Sequence, residues 1–201
     1  MGKTLVLGFE GMPGSGKTLI SNYLNGFLHP YVVIPEISCC PMPLDVSSSE
    51  KMMQRDIWHL EQNRSDLQVA QRLKDVGIHV GLDRTYVSTL AFSYALSKTQ
   101  GTDHFDNIER YFASRKGDFE GNIDAFIYFD LSVEESMERF EKKCPIARPM
   151  RFFTQPAFLR EMQVYYDRFF GSICQDKIIR FNISDKDYKK IMEELERKLA
   201  E

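Results

Sequence analysis

The chain has 201 residues, 43% of them hydrophobic, and a formal net charge of −3 with an isoelectric point near 5.9. That apolar content suffices for one compact domain with a full core, and the slight acidic excess excludes the basic footprint selected by nucleic-acid polymers and anionic membranes. No apolar run approaches the ~18 residues of a membrane span, and Cys39, Cys40, Cys144 and Cys174 have no metal-ligand spacing, so a cytoplasmic protein with reduced thiols is expected.

An apolar strand over 4–9 runs into Gly11-Met12-Pro13-Gly14-Ser15-Gly16-Lys17-Thr18, which matches G-x-x-x-x-G-K-[ST] at every fixed position, and a helix over 18–24 follows. The glycines let successive N–H groups turn inward onto phosphate oxygens, and the helix dipole adds positive potential there. Lys17, expected as an exposed loop side chain, reaches the β- and γ-phosphates, and the Thr18 hydroxyl ligates Mg²⁺. The segment predicts binding of a nucleoside triphosphate. A short strand over 31–35 comes next, then a loop over 36–49 rich in Pro, Ser and Cys, and a long helix over 50–76 stopped by Gly77. A third strand over 78–82 closes on Asp83. Helices over 88–97 and 105–114, a strand over 123–129 and a helix over 133–143 follow, then a basic loop over 144–155, a helix over 156–173, a strand over 177–183 and a charged helix over 186–199. Strands separated by helices imply an α/β fold of three layers, a five-stranded parallel sheet covered on both faces, with ligands at the carboxyl ends of the strands.

Three features then converge on one edge: the glycine loop after strand one, Glu36 after strand two and Asp83 after strand three. An acidic residue there can organise the water shell of Mg²⁺ or orient an attacking group. Asp83 reads either in that way or as the N-cap of the helix starting near Thr85, and Glu36 either as a functional carboxylate or as a solvated turn residue.

The run Phe9-Glu10-Gly11 into the phosphate loop, with Asp83-Arg84-Thr85-Tyr86-Val87-Ser88-Thr89-Leu90-Ala91-Phe92 after the third strand, resembles the thymidylate kinase and deoxynucleoside kinase group of P-loop kinases. The likeness continues through the fourth strand and the arginine-bearing lid to the end of the chain. It implies ATP as phosphoryl donor, Mg²⁺ as cofactor, and a nucleoside or its monophosphate as acceptor, with Arg84 and Ser88 near that acceptor. Arg64 lies at approximately the place where thymidylate kinases carry an acceptor-contacting arginine. Pro35-Glu36 resembles the deoxynucleoside kinases instead, in which a Glu at this point serves as base for a sugar hydroxyl.

Chemistry separates the two acceptors. A phosphate monoester is already nucleophilic at pH 7 and needs cations to hold it, whereas a neutral hydroxyl benefits from a carboxylate that takes its proton. Arg84 and Arg64 favour the first and Glu36 the second. The D-R-x-x-x-S-x-x-A run and the lid are closer to thymidylate kinases, so the monophosphate is the preferred reading and the hydroxyl the alternative. Lys142, Lys143, Arg148 and Arg151 lie between Arg139 and Arg160, in and beside a lid over approximately 143–155, where Arg148 and Arg151 would meet charge on the transferring phosphoryl group. Phe152, Phe153 and Phe158 are read as core or lid packing rather than a base-stacking box, and Trp58 and His59 as core rather than as lining of the acceptor pocket. A kinase of a non-nucleoside hydroxyl and a nucleotide-driven switch stay open, and a second copy of the chain is a further candidate partner.

Overall fold

The computed structural model describes residues 3–36, 40, 45, 47–143, 155–173, 175–183 and 188–200. Five strands, β1 (Val6–Gly11), β2 (Tyr31–Ile34), β3 (His79–Asp83), β4 (Ala125–Asp130) and β5 (Ile178–Asn182), form one sheet in the order β2-β3-β1-β4-β5. Every pairing is parallel. The helices are α1 (Lys17–Tyr23), α2 (Ser49–Asp75), α3 (Tyr86–Gln100), α4 (His104–Ser114), α5 (Lys116–Glu120), α6 (Val133–Lys143), α7 (Pro156–Ser172) and α8 (Tyr188–Ala200). No described helix is long and apolar enough to cross a membrane.

The strand period of two sorts the core into two layers. Leu7 and Phe9 of β1 join Ile127 and Phe129 of β4 on the face covered by α1 and α8. Val6, Phe126 and Tyr128 point the other way, into the layer that α2, α3 and α7 complete with Leu60, Leu67, Leu90, Ala91, Phe158 and Tyr166.

The elements follow the sequence expectation in type and order, with informative differences at their ends. β1 continues past Phe9 through Glu10 and Gly11, which pair with Tyr128 and Phe129 of β4. An acidic residue can extend a buried strand here because its carboxylate is fully bonded, as described below. β4 starts at Ala125 rather than 123, since the Asp124 side chain accepts from the Val6 N–H at 2.8 Å and from Lys74 at 2.8 Å and so leaves the strand pattern. α3 starts at Tyr86, two residues early, capped by Thr85, whose hydroxyl accepts from the Val87 N–H. It ends at Gly101, which takes the left-handed conformation at φ 63°. The short helix α5 has no expected counterpart: with five residues it falls below the window in which periodicity is readable.

Candidate active site

The phosphate loop connects β1 to α1 as expected. Gly11, Gly14 and Gly16 have φ of 140°, 76° and 91°. A Cβ on Gly11 would come within 2.5 Å of the Phe129 carbonyl oxygen, and one on Gly16 within 2.8 Å of the Tyr188 ring. The side chains of Met12 and Ser15 are buried, and the Pro13 carbonyl accepts from the Ser136 hydroxyl at 2.7 Å, which ties the loop to α6.

Lys17 is the first correction. It was expected as an exposed loop group, but it is the first residue of α1 and only 6% exposed. Its Nζ donates to the carbonyls of Gly11 (2.9 Å) and Met12 (3.0 Å) and to Ser15 Oγ (3.3 Å). Burial, reinforced by the Arg84 charge, lowers its pKa to about 7 against the pull of Glu36, Asp83 and Glu10. A buried ammonium ringed by neutral acceptors is a group held for an anion.

Asp83 ends β3, and its Oδ2 accepts from the Thr18 hydroxyl at 2.6 Å. The capping role that the sequence left open for it belongs to Thr85. Asp83 Oδ1 is buried without a hydrogen-bond partner. An unfilled carboxylate oxygen beside an exposed threonine hydroxyl and a phosphate cradle suits Mg²⁺, which takes one or two protein oxygens and completes its octahedron with water and phosphate. Thr18 and Asp83 therefore fit the ion.

Arg84 follows in the left-handed region, at φ 73°, a conformation that costs a non-glycine residue of order 1 kcal/mol. The surroundings fix it there. Its N–H donates to the Phe9 carbonyl at 3.1 Å, and the next N–H, of Thr85, donates to Glu10 at 2.7 Å. The guanidinium lies 2.9 Å from Glu36 and donates to Ser88 Oγ at 3.0 Å. Burial opposes its charge, but Glu36, Tyr166 and Glu10 outweigh that and keep it firmly protonated. The Glu36 side chain is about half exposed, at the mouth of the site.

Ser88, anticipated at the acceptor, lines the cavity described below and is also the centre of a buried network. It donates to Glu10, accepts from Arg84, and shares a 2.9 Å hydrogen bond with the Tyr166 hydroxyl. A serine hydroxyl has one donor and two acceptor sites, so all three are used. Glu10 is fully buried; it also accepts from the Thr85 hydroxyl at 2.6 Å, and the Tyr166 oxygen stands 3.3 Å away with its proton on Ser88. Burial raises its pKa, and the bonds from Ser88 and Thr85 offset part of that rise. The sequence showed Glu10 only as half of an E-G pair; its task is to bind β1, α3 and α7 together directly beneath Arg84.

A cavity of about 390 Å³ opens beside this edge, within the range of small-molecule sites. Its lining includes Pro13, Glu36, Asp83 and Arg84 from the edge just described, and Arg55, Asp56, His59, Phe92, Phe158 and Met162 from α2, α3 and α7. Arg64 is not among the lining residues: it is paired with Glu61 at 2.6 Å, in a cluster with Tyr111 and Arg115. Nine residues separate it from Arg55, about two and a half helical turns, which puts the two arginines on opposite faces of α2. Phe158 is buried as expected, yet it also borders the cavity, while Trp58 is half-buried and stays outside the lining. Arg55 and Asp56 were missed, because on a helix rich in charged residues nothing marks them as facing inward, and His59, read as core with Trp58, lines the cavity. Arg148, Arg151, Phe152 and Phe153 lie outside the described residues.

No protein-family model and no curated protein matches the sequence. Among solved structures, the deoxyadenosine kinase of M. mycoides with bound dATP superposes with a TM-score of 0.73 at 16% identity, covering 95% of this chain and 98% of that one. The same enzyme with the products dCMP and a flexible dCDP gives 0.69 at 15% identity over 98% and 99% of the two chains. With dCTP it gives 0.66 at 15% identity over 96% and 100%. Along essentially its whole length, the chain has the fold of these P-loop deoxynucleoside kinases.

Proposed function

We propose that the protein is a nucleoside kinase, which transfers the terminal phosphoryl group of ATP to a hydroxyl of a nucleoside held in the cavity. The observation that carries this reading is Glu36, a carboxylate fixed 2.9 Å from Arg84 where the cavity meets the phosphate loop. In the transfer the acceptor oxygen bonds to the γ-phosphorus, the bond to the β-γ bridging oxygen breaks to release ADP, and the hydroxyl proton passes to Glu36. Lys17 and Arg84 face the charge on the transferring group; the glycine loop fixes the donor. Mg²⁺ at Thr18 and Asp83 would neutralise the β- and γ-oxygens.

Two observations favour the hydroxyl over the monophosphate preferred from the sequence. Among the described lining residues, the carboxylates of Glu36, Asp56, Asp66 and Asp83 face only the guanidiniums of Arg55 and Arg84. His59 adds no charge at pH 7, since burial and Arg55 lower its pKa to about 4. A monophosphate brings ≈ −1.5 to −2 more into this acidic space, and Arg84 is already engaged by Glu36. The second is the likeness to kinases that were solved with dATP, dCTP and dCMP. The test is ADP release over a panel of nucleosides and their monophosphates, with Glu36→Gln beside the parent. For a hydroxyl acceptor kcat falls by ~10² to 10⁴ with little change in KM for ATP. Turnover of monophosphates alone, with Glu36→Gln nearly as active as the parent, would return the reading to a nucleotide kinase.

A further inference from the structure

We propose that Asp56 selects the acceptor's base by accepting a hydrogen bond from an exocyclic amino group, and that His104 positions Asp56 for this; the inference rests on the nucleoside reading above. Asp56 lines the cavity, yet it is only 1% exposed. A buried carboxylate is costly unless its oxygens are bonded, and here they are not. Arg55 Nη1 lies 3.6 Å from Oδ1 and His104 Nε2 lies 3.6 Å from Oδ2, both beyond hydrogen-bond distance. Asp56 Oδ2 and His104 Nε2 are each buried without a partner.

His104 is 0% exposed, and its Nδ1 lies 2.8 Å from Thr102 Oγ1. The neighbouring carboxylate selects the tautomer, since a lone pair on Nε2 would face Oδ2. The ring proton then sits on Nε2, and Nδ1 accepts from the Thr102 hydroxyl. His104 thus turns an N–H toward Oδ2, and Oδ1 is the oxygen left for a ligand.

The location suits a base. Glu36, Asp83 and Arg84 stand at the carboxyl edge of the sheet beside the glycine loop, so the sugar hydroxyl belongs there. Around Asp56 the walls are aromatic: its neighbour Arg55 sets a guanidinium 5.5 Å over the Phe92 ring, and Phe92 stands edge-on to Phe158 at 5.1 Å. Aromatic walls with the Asp56 carboxylate at their edge accept a planar ring that offers a donor, in a cavity that Gln62, Asn63 and Asp66 also line. A keto oxygen in the same place would face a carboxyl oxygen in a water-poor site, an unpaired like-polarity contact. Cytosine and adenine offer the amino group; uracil and hypoxanthine put oxygen there.

The experiment compares kcat/KM for deoxycytidine against deoxyuridine, and for deoxyadenosine against deoxyinosine. The parent should favour the amino member of each pair by about 50-fold or more. Asp56→Asn can turn an amide N–H₂ toward a keto oxygen, so the ratio should collapse to within about threefold or invert. His104→Phe should lower the ratio about three- to tenfold without moving KM for ATP, and His104→Gln, which restores an N–H donor, should recover part of it. Calorimetric binding of N4,N4-dimethyl-deoxycytidine to the parent keeps the test independent of any variant: the ring is retained, the donor is gone, and affinity should drop at least tenfold. Equal use of the paired nucleosides, or an amino preference that survives in Asp56→Asn, overturns the assignment while leaving the kinase reading intact. Asp56-dependent binding of deoxycytidine without phosphorylation would sink the kinase reading and keep this one. Binding of neither member of a pair overturns both.

Discussion

Lys17 should take up a proton when ATP binds. In the free protein its pKa is lowered to about 7, mainly by burial, so at pH 8 only about a tenth of the molecules carry the ammonium charge. Phosphate oxygens set against Nζ raise the pKa back toward ~10.4. ATP contributes nothing to the exchange at pH 8, because the last phosphate pKa is near 6. Binding at pH 8 therefore draws about 0.9 proton from solvent, and affinity falls nearly tenfold between pH 8 and pH 9. The sign follows from which form the ligand selects: the charged lysine binds, and its population declines as pH rises through 7. Stability of the free protein moves the opposite way. With an ordinary pKa in the unfolded chain and a lowered one in the fold, Lys17 carries a penalty that is complete below pH 7 and is relieved as pH rises toward ~10.4. Titration calorimetry in two buffers of different ionisation enthalpy counts the proton directly. Lys17→Met keeps the buried volume and removes the charge, so it should abolish the uptake and cut kcat by ~10² or more. Uptake below about 0.2 proton in the parent, or equal uptake in Lys17→Met, would refute the argument.

Asp83→Asn should lower kcat by ~10² and raise the Mg²⁺ concentration needed for half-maximal rate, whereas a merely structural Asp83 would shift the melting temperature alone. Gly11→Ala sets a Cβ 2.5 Å from the Phe129 carbonyl oxygen at φ 140°, and should cost about 3 kcal/mol or more in denaturant unfolding. Gly26→Ala meets nothing within 4 Å and should stay within about 0.5 kcal/mol. At Asp124, burial opposes ionisation, but hydrogen bonds from Lys74 and the Val6 N–H outweigh it and lower the pKa below the ordinary 3.8. The stability it contributes is present above about pH 4 and lost as pH falls below that, so Asp124→Asn should unfold about 1–3 kcal/mol more easily at pH 7 and show a flatter acid limb by calorimetry.

What could be read from the sequence follows the kind of constraint each residue obeys. Gly11, Gly14 and Gly16 are fixed by backbone geometry that no other residue meets comfortably, so the phosphate loop is legible from spacing alone. Asp83 was legible because strand ends in a parallel sheet share one edge. The cavity was not, for its residues stand among neighbours remote in sequence: Asp56 of α2 faces His104 of α4. Arg64 misled for the same reason, since a charged residue on a long polar helix carries no sign of which face it occupies until α4 supplies Tyr111 and Arg115 to one of them. Glu10 sits between these cases. Its place before the loop was visible, but its contacts with Thr85, Ser88 and Tyr166 need α3 and α7 in position.

The sheet order also governs how the chain is assembled as it is made. β1 sits at the centre, yet both of its neighbours are synthesised later, and Leu7 must wait for Ala125, 118 residues downstream, before its second edge is covered. At the ~5–20 residues per second of translation, that delay is roughly 6–24 s. Throughout it an apolar strand whose six residues are all buried in the finished protein has one or both edges open. The nucleotide loop gains its floor only when Phe129 arrives against Gly11, so a nascent chain stalled before β4 would expose a sticky segment and have no means of gripping ATP to steady it. Early truncations should accordingly be found in aggregates or held by chaperones, while the full chain is rescued by its own ligand.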